Sequence, residues 1–213
     1  VSFVSDGEST ISPAFIEGVQ VGNSLGLSMA VGTNGFVLTK SKLEEVLPHL
    51  TYIRINISAG EKKRYAEIMG VKESYFDRVV QNIKDMVDIK KKNKLSVTIG
   101  LQMVLMPEYS DQLLPLAKLG KQLQPDYLII KHCSDNEDGI LGVDYSGYEK
   151  IYGLLKQAES YSDKNYKVKV KWSKIKSGEN RSYNRCYGAP FMIQISGSGL
   201  VAPCGMLFNE KYK

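Results

Sequence analysis

Cysteine, histidine and long apolar runs are scarce in this 213-residue chain, and each scarcity closes off a class of protein. There are three cysteines, Cys133, Cys186 and Cys204, an odd and sparse set with no visible secretory signal. That pattern argues against a disulfide scaffold and for a reducing, cytoplasmic compartment, and it leaves metal or cluster ligation open. No apolar run reaches the ~20 residues needed to span a bilayer, so no membrane segment is expected.

What is present is ordinary for a globular protein: 43% hydrophobic and 24% charged residues, in a length that suits one large domain or one and a half small ones. The net charge is +5, but Lys and Arg are spread out. Their densest run, Lys90-Lys91-Lys92-Asn93-Lys94, closes a helical pattern where cations suit the dipole, so neither nucleic acid nor membrane is an expected partner. The chain opens at Val1 inside a strand pattern and stops at Glu210-Lys211-Tyr212-Lys213 without a finished element, which reads as an excised piece of a longer protein.

Strand and helix patterns alternate along the first two-thirds. Strands are predicted at Val1–Ser5, Leu27–Thr33, Tyr52–Ser58, Leu95–Met106 and Tyr127–His132. One helix is predicted from Ser12-Pro13, with Ser as N-cap, and another from about Lys42 to Leu47. A third starts near Glu73, with Phe76, Val79, Val80, Ile83 and Val87 at helical spacing; others follow Ser110 and cover Tyr148 to Ala158. Repeated strand–helix units imply right-handed winding and therefore an α/β fold with a parallel sheet or barrel. A further strand, Tyr166–Trp172, is followed by a polar loop over Ser173 to Asn184. Then CYGAPFMIQISGSGLVAPCGM reads as two short strands joined by Ser196-Gly197-Ser198-Gly199. A division is predicted near Ser160–Asn165, giving a core over 1–160 and a smaller module over 161–213.

In a parallel wall the strand ends share one rim, so the residues there are the candidates for ligand chemistry. They are Asp6-Gly7-Glu8, Thr33-Asn34-Gly35, Ser58-Ala59-Gly60, Pro107-Glu108 and His132-Cys133-Ser134. His132 reads as a structural histidine within reach of the rim, and His49, after Pro48, as a surface one. Cys133 reads as an inert buried thiol, Arg54 as a strand or interface residue, and Tyr145, Tyr148, Tyr152 and Tyr161 as packing residues.

Taken in order, these motifs resemble the radical S-adenosylmethionine (SAM) superfamily. VSFVSDGEST resembles its second barrel strand with a Gly-Gly-Glu turn, although Asp6 stands where the family has glycine; MAVGTNGFVL resembles the third strand and YIRINISAG the fourth. SYFDRVVQNIKDM resembles the helix that follows, and Leu95–Met106 and Tyr127–Cys133 sit where the fifth and sixth strands belong. The resemblance implies a partial (β/α) TIM-like barrel whose first strand lies outside this chain. It implies SAM binding by Gly7, Glu8, Thr33, Asn34 and Ser58: Glu8 would accept from the ligand's amino group, Gly7 would allow close backbone approach, and Ser58 would reach the ribose.

In the tail, the spacing Cys186–x12–Gly199–x4–Cys204 resembles the opening of the SPASM extension, in which such cysteines bind an auxiliary 4Fe–4S cluster. The superfamily's CxxxCxxC is absent from the sequence, so the ligands of a catalytic 4Fe–4S cluster are expected outside this chain, which alone would be inactive. The intact enzyme implied in this way uses a 5′-deoxyadenosyl radical to abstract hydrogen from a peptide or small-molecule substrate. Its electron donor would be a flavodoxin or ferredoxin. The exposed sheet edge is a candidate dimer contact. The alternative is a non-redox barrel module that binds a polar ligand and carries a structural zinc at Cys186 and Cys204.

Overall fold

The computed structural model describes residues 1–4, 7–135, 138–178, 180 and 183–208, so Asp6 lies outside the described residues. Six strands make one sheet: β1 Ser2–Phe3, β2 Ala30–Thr33, β3 Tyr52–Asn56, β4 Thr98–Leu105, β5 Tyr127–His132 and β6 Lys167–Val170. They lie in sequence order, and every neighbouring pair is parallel. The crossovers carry α1 Phe15–Ser24, α2 Lys40–Val46, α3 Lys62–Met69 with α4 Glu73–Lys92, α5 Leu113–Leu123 and α6 Tyr152–Glu159. A strand order that always steps the same way, with right-handed crossovers, puts all helices on one face. That is an α/β fold of the partial-barrel kind, in which β1 and β6 are the edges.

The strand sequences show why the two faces differ. In β3, Ile53 and Ile55 alternate with Tyr52, Arg54 and Asn56. The isoleucines, with Val31, Ile99, Leu101, Met103, Leu128 and Ile130, are buried in the core under the helices. Each such side chain contributes about 1.5–3 kcal/mol on full burial. Helix α4 adds Val79, Ile83, Met86 and Val87 to the same core, as its periodicity requires.

Several elements depart from the sequence expectations for local physical reasons. Ser12 does not cap α1 directly. It closes a 3-10 turn over Ser9–Ile11, and α1 begins at Phe15, whose N–H donates to the Ser12 carbonyl. Helix α3 is not among the predicted elements: Tyr65 is its buried residue, Ile68 and Met69 pack partly buried against the core, and Gly70, at φ +64, ends it. Part of the predicted polar loop is α7, Trp172–Ser177, held by buried Ile175 and by the Trp172 indole N–H donating to Glu159. Strand β6 hydrogen-bonds to β5, so the six-stranded sheet draws on residues either side of 160. The small hairpin is antiparallel β7 Gln194–Ile195 with β8 Val201–Ala202; its turn has Gly199 at φ +83, a conformation that favours glycine.

Candidate functional site

The ends of β1, β2 and β3 lie side by side on one rim, and the first two are tied together by a carboxylate. The chain leaves β1 through Gly7, at φ +82 with open space where a Cβ would stand. Glu8 then caps the 3-10 turn, its Oε1 accepting from the Thr10 backbone N–H at 3.2 Å and from the Thr10 hydroxyl at 2.5 Å. The same oxygen accepts from the Thr33 hydroxyl at 2.8 Å, and Oε2 accepts from the Asn34 N–H at 2.7 Å. Glu8 is therefore no solvated turn acid. Its Oε1 is saturated, while Oε2 keeps an unused acceptor direction.

The β2 end is built to present those donors. Thr33 Oγ1 accepts from the Gly35 N–H at 3.0 Å while donating to Glu8. The Asn34 side chain accepts from the Phe36 N–H at 2.9 Å, so the backbone of Asn34, not its amide group, meets Glu8. From α4, buried Asn82 donates to the Gly35 and Phe36 carbonyls at 2.7 and 3.2 Å and fixes the loop from below.

Ser58 continues the alternation of β3 onto the helix-free side of the rim. It is buried, and its hydroxyl makes only a 3.5 Å contact to the Val104 carbonyl. No hydrogen bond joins it to the Glu8 knot among the described residues. Gly7, Glu8, Thr33 and Asn34 thus form one unit, and Ser58 stands one strand further along the same rim.

On the far strands, Tyr148 is fully buried. Its hydroxyl donates to the Leu105 carbonyl at 2.5 Å and accepts from the Cys133 N–H at 3.2 Å, pinning the β4 end to the β5 end. Burial pushes the Cys133 thiol and the Tyr148 phenol above their ordinary pKa values. The His132 ring packs edge-on against Tyr145 and Tyr148, and His49 bonds Asn23 at 3.0 Å.

Cys186 is exposed and Cys204 half-buried, both as free thiols. The hairpin pairs Gln194 with Ala202, so extending that register would set Cys204 opposite Met192, six residues from Cys186. Any meeting of the two sulfurs depends on the turn between Cys186 and Met192. Among the described residues no group of three or more His, Cys, Asp or Glu could hold a metal ion.

Sequence reading missed Thr10 and Gln102 near the rim, and it read Arg54 as a strand or interface residue with a charge-partner role on the rim left open. Thr10, buried and bonded to Glu8, was hidden in a loop. Arg54 lies on the helix-free face; its Nε is buried and makes no hydrogen bond. Gln102 donates to Asn56 at 2.8 Å on the adjacent row. Every second residue of YIRIN is polar, a signal for a wet inner face.

No family model matches the sequence, and no curated protein matches it. Among solved structures, Streptococcus suis SuiB bound to S-adenosylmethionine superposes with TM-score 0.73 at 15% identity, over 100% of this chain and 51% of that one. The structure anSMEcpe with bound AdoMet and Kp18Cys peptide gives 0.61 at 16%, over 99% and 62%. Archaeal TYW1 gives 0.56 at 19%, over 76% and 50%. These three are radical SAM enzymes, and the fold of this chain is theirs. The chain spans about half the length of the SuiB structures it matches.

Proposed function

We propose that this chain is the SAM-binding part of a radical SAM enzyme. The observation that carries the proposal is the Glu8 knot. A buried-edge carboxylate is held rigidly at the β1–β2 rim, with one acceptor direction open beside a glycine that leaves room for a ligand. A cationic amino group suits that oxygen, and a charge-assisted bond of this kind is worth about 1.5–3 kcal/mol. Ser58, with a weakly engaged hydroxyl at the neighbouring strand end, suits a ribose oxygen. Thr33 and Asn34 position Glu8 through their donors.

Bound SAM supplies the group that abstracts hydrogen in this class of reaction. The chain's own work is to grip its amino and ribose ends and keep Glu8 from turning. The described residues offer no ligand set for the catalytic 4Fe–4S cluster. We assign its ligands to polypeptide outside this chain, and we assign Cys186 and Cys204 to an auxiliary-cluster ligand set completed elsewhere. A peptide substrate is favoured because one SuiB structure is bound to the precursor peptide SuiA, and anSMEcpe was solved with Kp18Cys peptide. The electron donor would be of the flavodoxin or ferredoxin type.

Calorimetric titration of SAM into the chain tests the proposal. Saturable binding is expected, weakened at least ~10-fold in Glu8→Gln, which puts an amide where a charge-assisted acceptor was. Ser58→Ala, outside the knot, is expected to weaken it about 2–10-fold with an unchanged circular dichroism spectrum. Absence of SAM binding by the folded chain, or wild-type affinity in both variants, would overturn it. Anaerobic expression of the gene with its upstream sequence is expected to give a brown protein that contains iron and sulfide. A colourless, zinc-binding product that is lost in Cys186→Ser and Cys204→Ser would favour the non-redox alternative.

A further inference from the structure

The helix-free face of the sheet carries two cations, Arg54 and Lys131, that form no ion pair among the described residues. The six strands contain no Asp or Glu. Register places Arg54 of β3 beside Gly100 of β4 and Tyr127 of β5; a Cβ on Gly100 would strike the Tyr127 ring at 2.2 Å, so that ring lies across the same face. The next row toward the rim holds the hydrogen-bonded amides of Asn56 and Gln102, followed by Ile129 and Lys169. Lys131 shares the row beyond, next to Val104.

Arg54 and Lys131 sense one another. The Lys131 ammonium is held below its ordinary pKa first by burial, then by Arg54 and by Lys174. Neither cation forms an ion pair among the described residues, and the Arg54 Nε is enclosed without an acceptor. Stability alone would not select two uncompensated, partly desolvated cations beside a pair of amides; such an arrangement marks a site awaiting an anion.

We propose that this face recognises a carboxylate-bearing substrate, an acidic peptide segment, whose carboxylates lie against Arg54 and Lys131 with Asn56 and Gln102 between them. The proposal rests on the SAM-enzyme reading for what happens to the substrate, but the recognition is a property of the face itself. A guanidinium takes a carboxylate through two parallel bonds, and an ammonium takes one as a point charge.

The test uses fluorescence anisotropy with a labelled Glu-rich peptide and its Gln isostere on the 213-residue chain, alongside SAM titration. The Glu peptide is expected to bind at least ~10-fold more tightly, with an advantage that shrinks as salt rises. Arg54→Met and Lys131→Met are each expected to reduce its affinity about 3–10-fold while leaving SAM affinity within about two-fold. Equal binding of the two peptides would overturn the proposal. So would loss of SAM affinity in these variants with peptide binding unchanged, because the carboxylate held there would then be that of SAM. If SAM fails to bind wild type while Glu selectivity persists, the SAM reading fails and the anionic recognition stands.

Discussion

Glu8, Tyr148 and Tyr166 show how much one oxygen atom decides at the residue scale. Glu8 satisfies four donors from two strand ends, which ties the loop after β1 to the end of β2 through a single side chain. Tyr148 and Tyr166 are both fully buried tyrosines, but among the described residues only the first has partners: the Tyr166 hydroxyl makes no hydrogen bond there. Removing the Tyr148 hydroxyl forfeits two hydrogen bonds, although the Cys133 N–H still donates to the Leu105 carbonyl at 2.8 Å, whereas removing an orphan hydroxyl relieves a desolvated group. Tyr148→Phe should therefore cost about 0.5–1.5 kcal/mol in urea unfolding, and Tyr166→Phe should leave stability unchanged or raise it by about 1 kcal/mol. Equal losses in the two variants would contradict the hydrogen-bond assignment. Glu8 itself was legible in the sequence because a glycine and an acid follow an apolar strand. Thr10 was not, because its importance arises from what lies across the sheet.

Elements were legible where packing imposes a period. Strand β5 runs over the predicted Tyr127–His132, and α4 starts at the predicted Glu73 because Val79, Ile83, Met86 and Val87 recur on one face. Helix α3 left a weaker trace, because its stripe of Tyr65, Ile68 and Met69 is a single turn long. It is anchored by charge as well. Arg64 grips Asp111 through two bonds, at 2.8 and 3.0 Å, linking α3 to the turn before α5. The Arg64 guanidinium, helped by Gln112, holds the Asp111 carboxyl below its ordinary pKa. A carboxyl whose folded pKa is depressed adds stability above the unfolded value near 4, and that stability is lost as pH falls through the folded pKa. The pair is half exposed, so Asp111→Asn should cost no more than about 1 kcal/mol at pH 7. The gap between thermal melts of the two proteins should narrow as pH falls below the unfolded value near 4. A gap that stays constant with pH would show that the pair does not titrate with folding.

For the whole molecule, a sheet stepping in one direction segregates its chemistry. Apolar side chains face the helices, cations and amides face the open side, and the first three strand ends line up along one rim. Under the proposed function, that segregation lets one small chain grip a cofactor at the rim and face a substrate from the wall. Backbone amide chemical shifts recorded during a SAM titration test the central claim most directly. The account predicts that Gly7, Asn34 and Ser58 shift together and saturate at one affinity. Shifts scattered away from the β1–β3 rim, or no shifts in a folded protein, would contradict it.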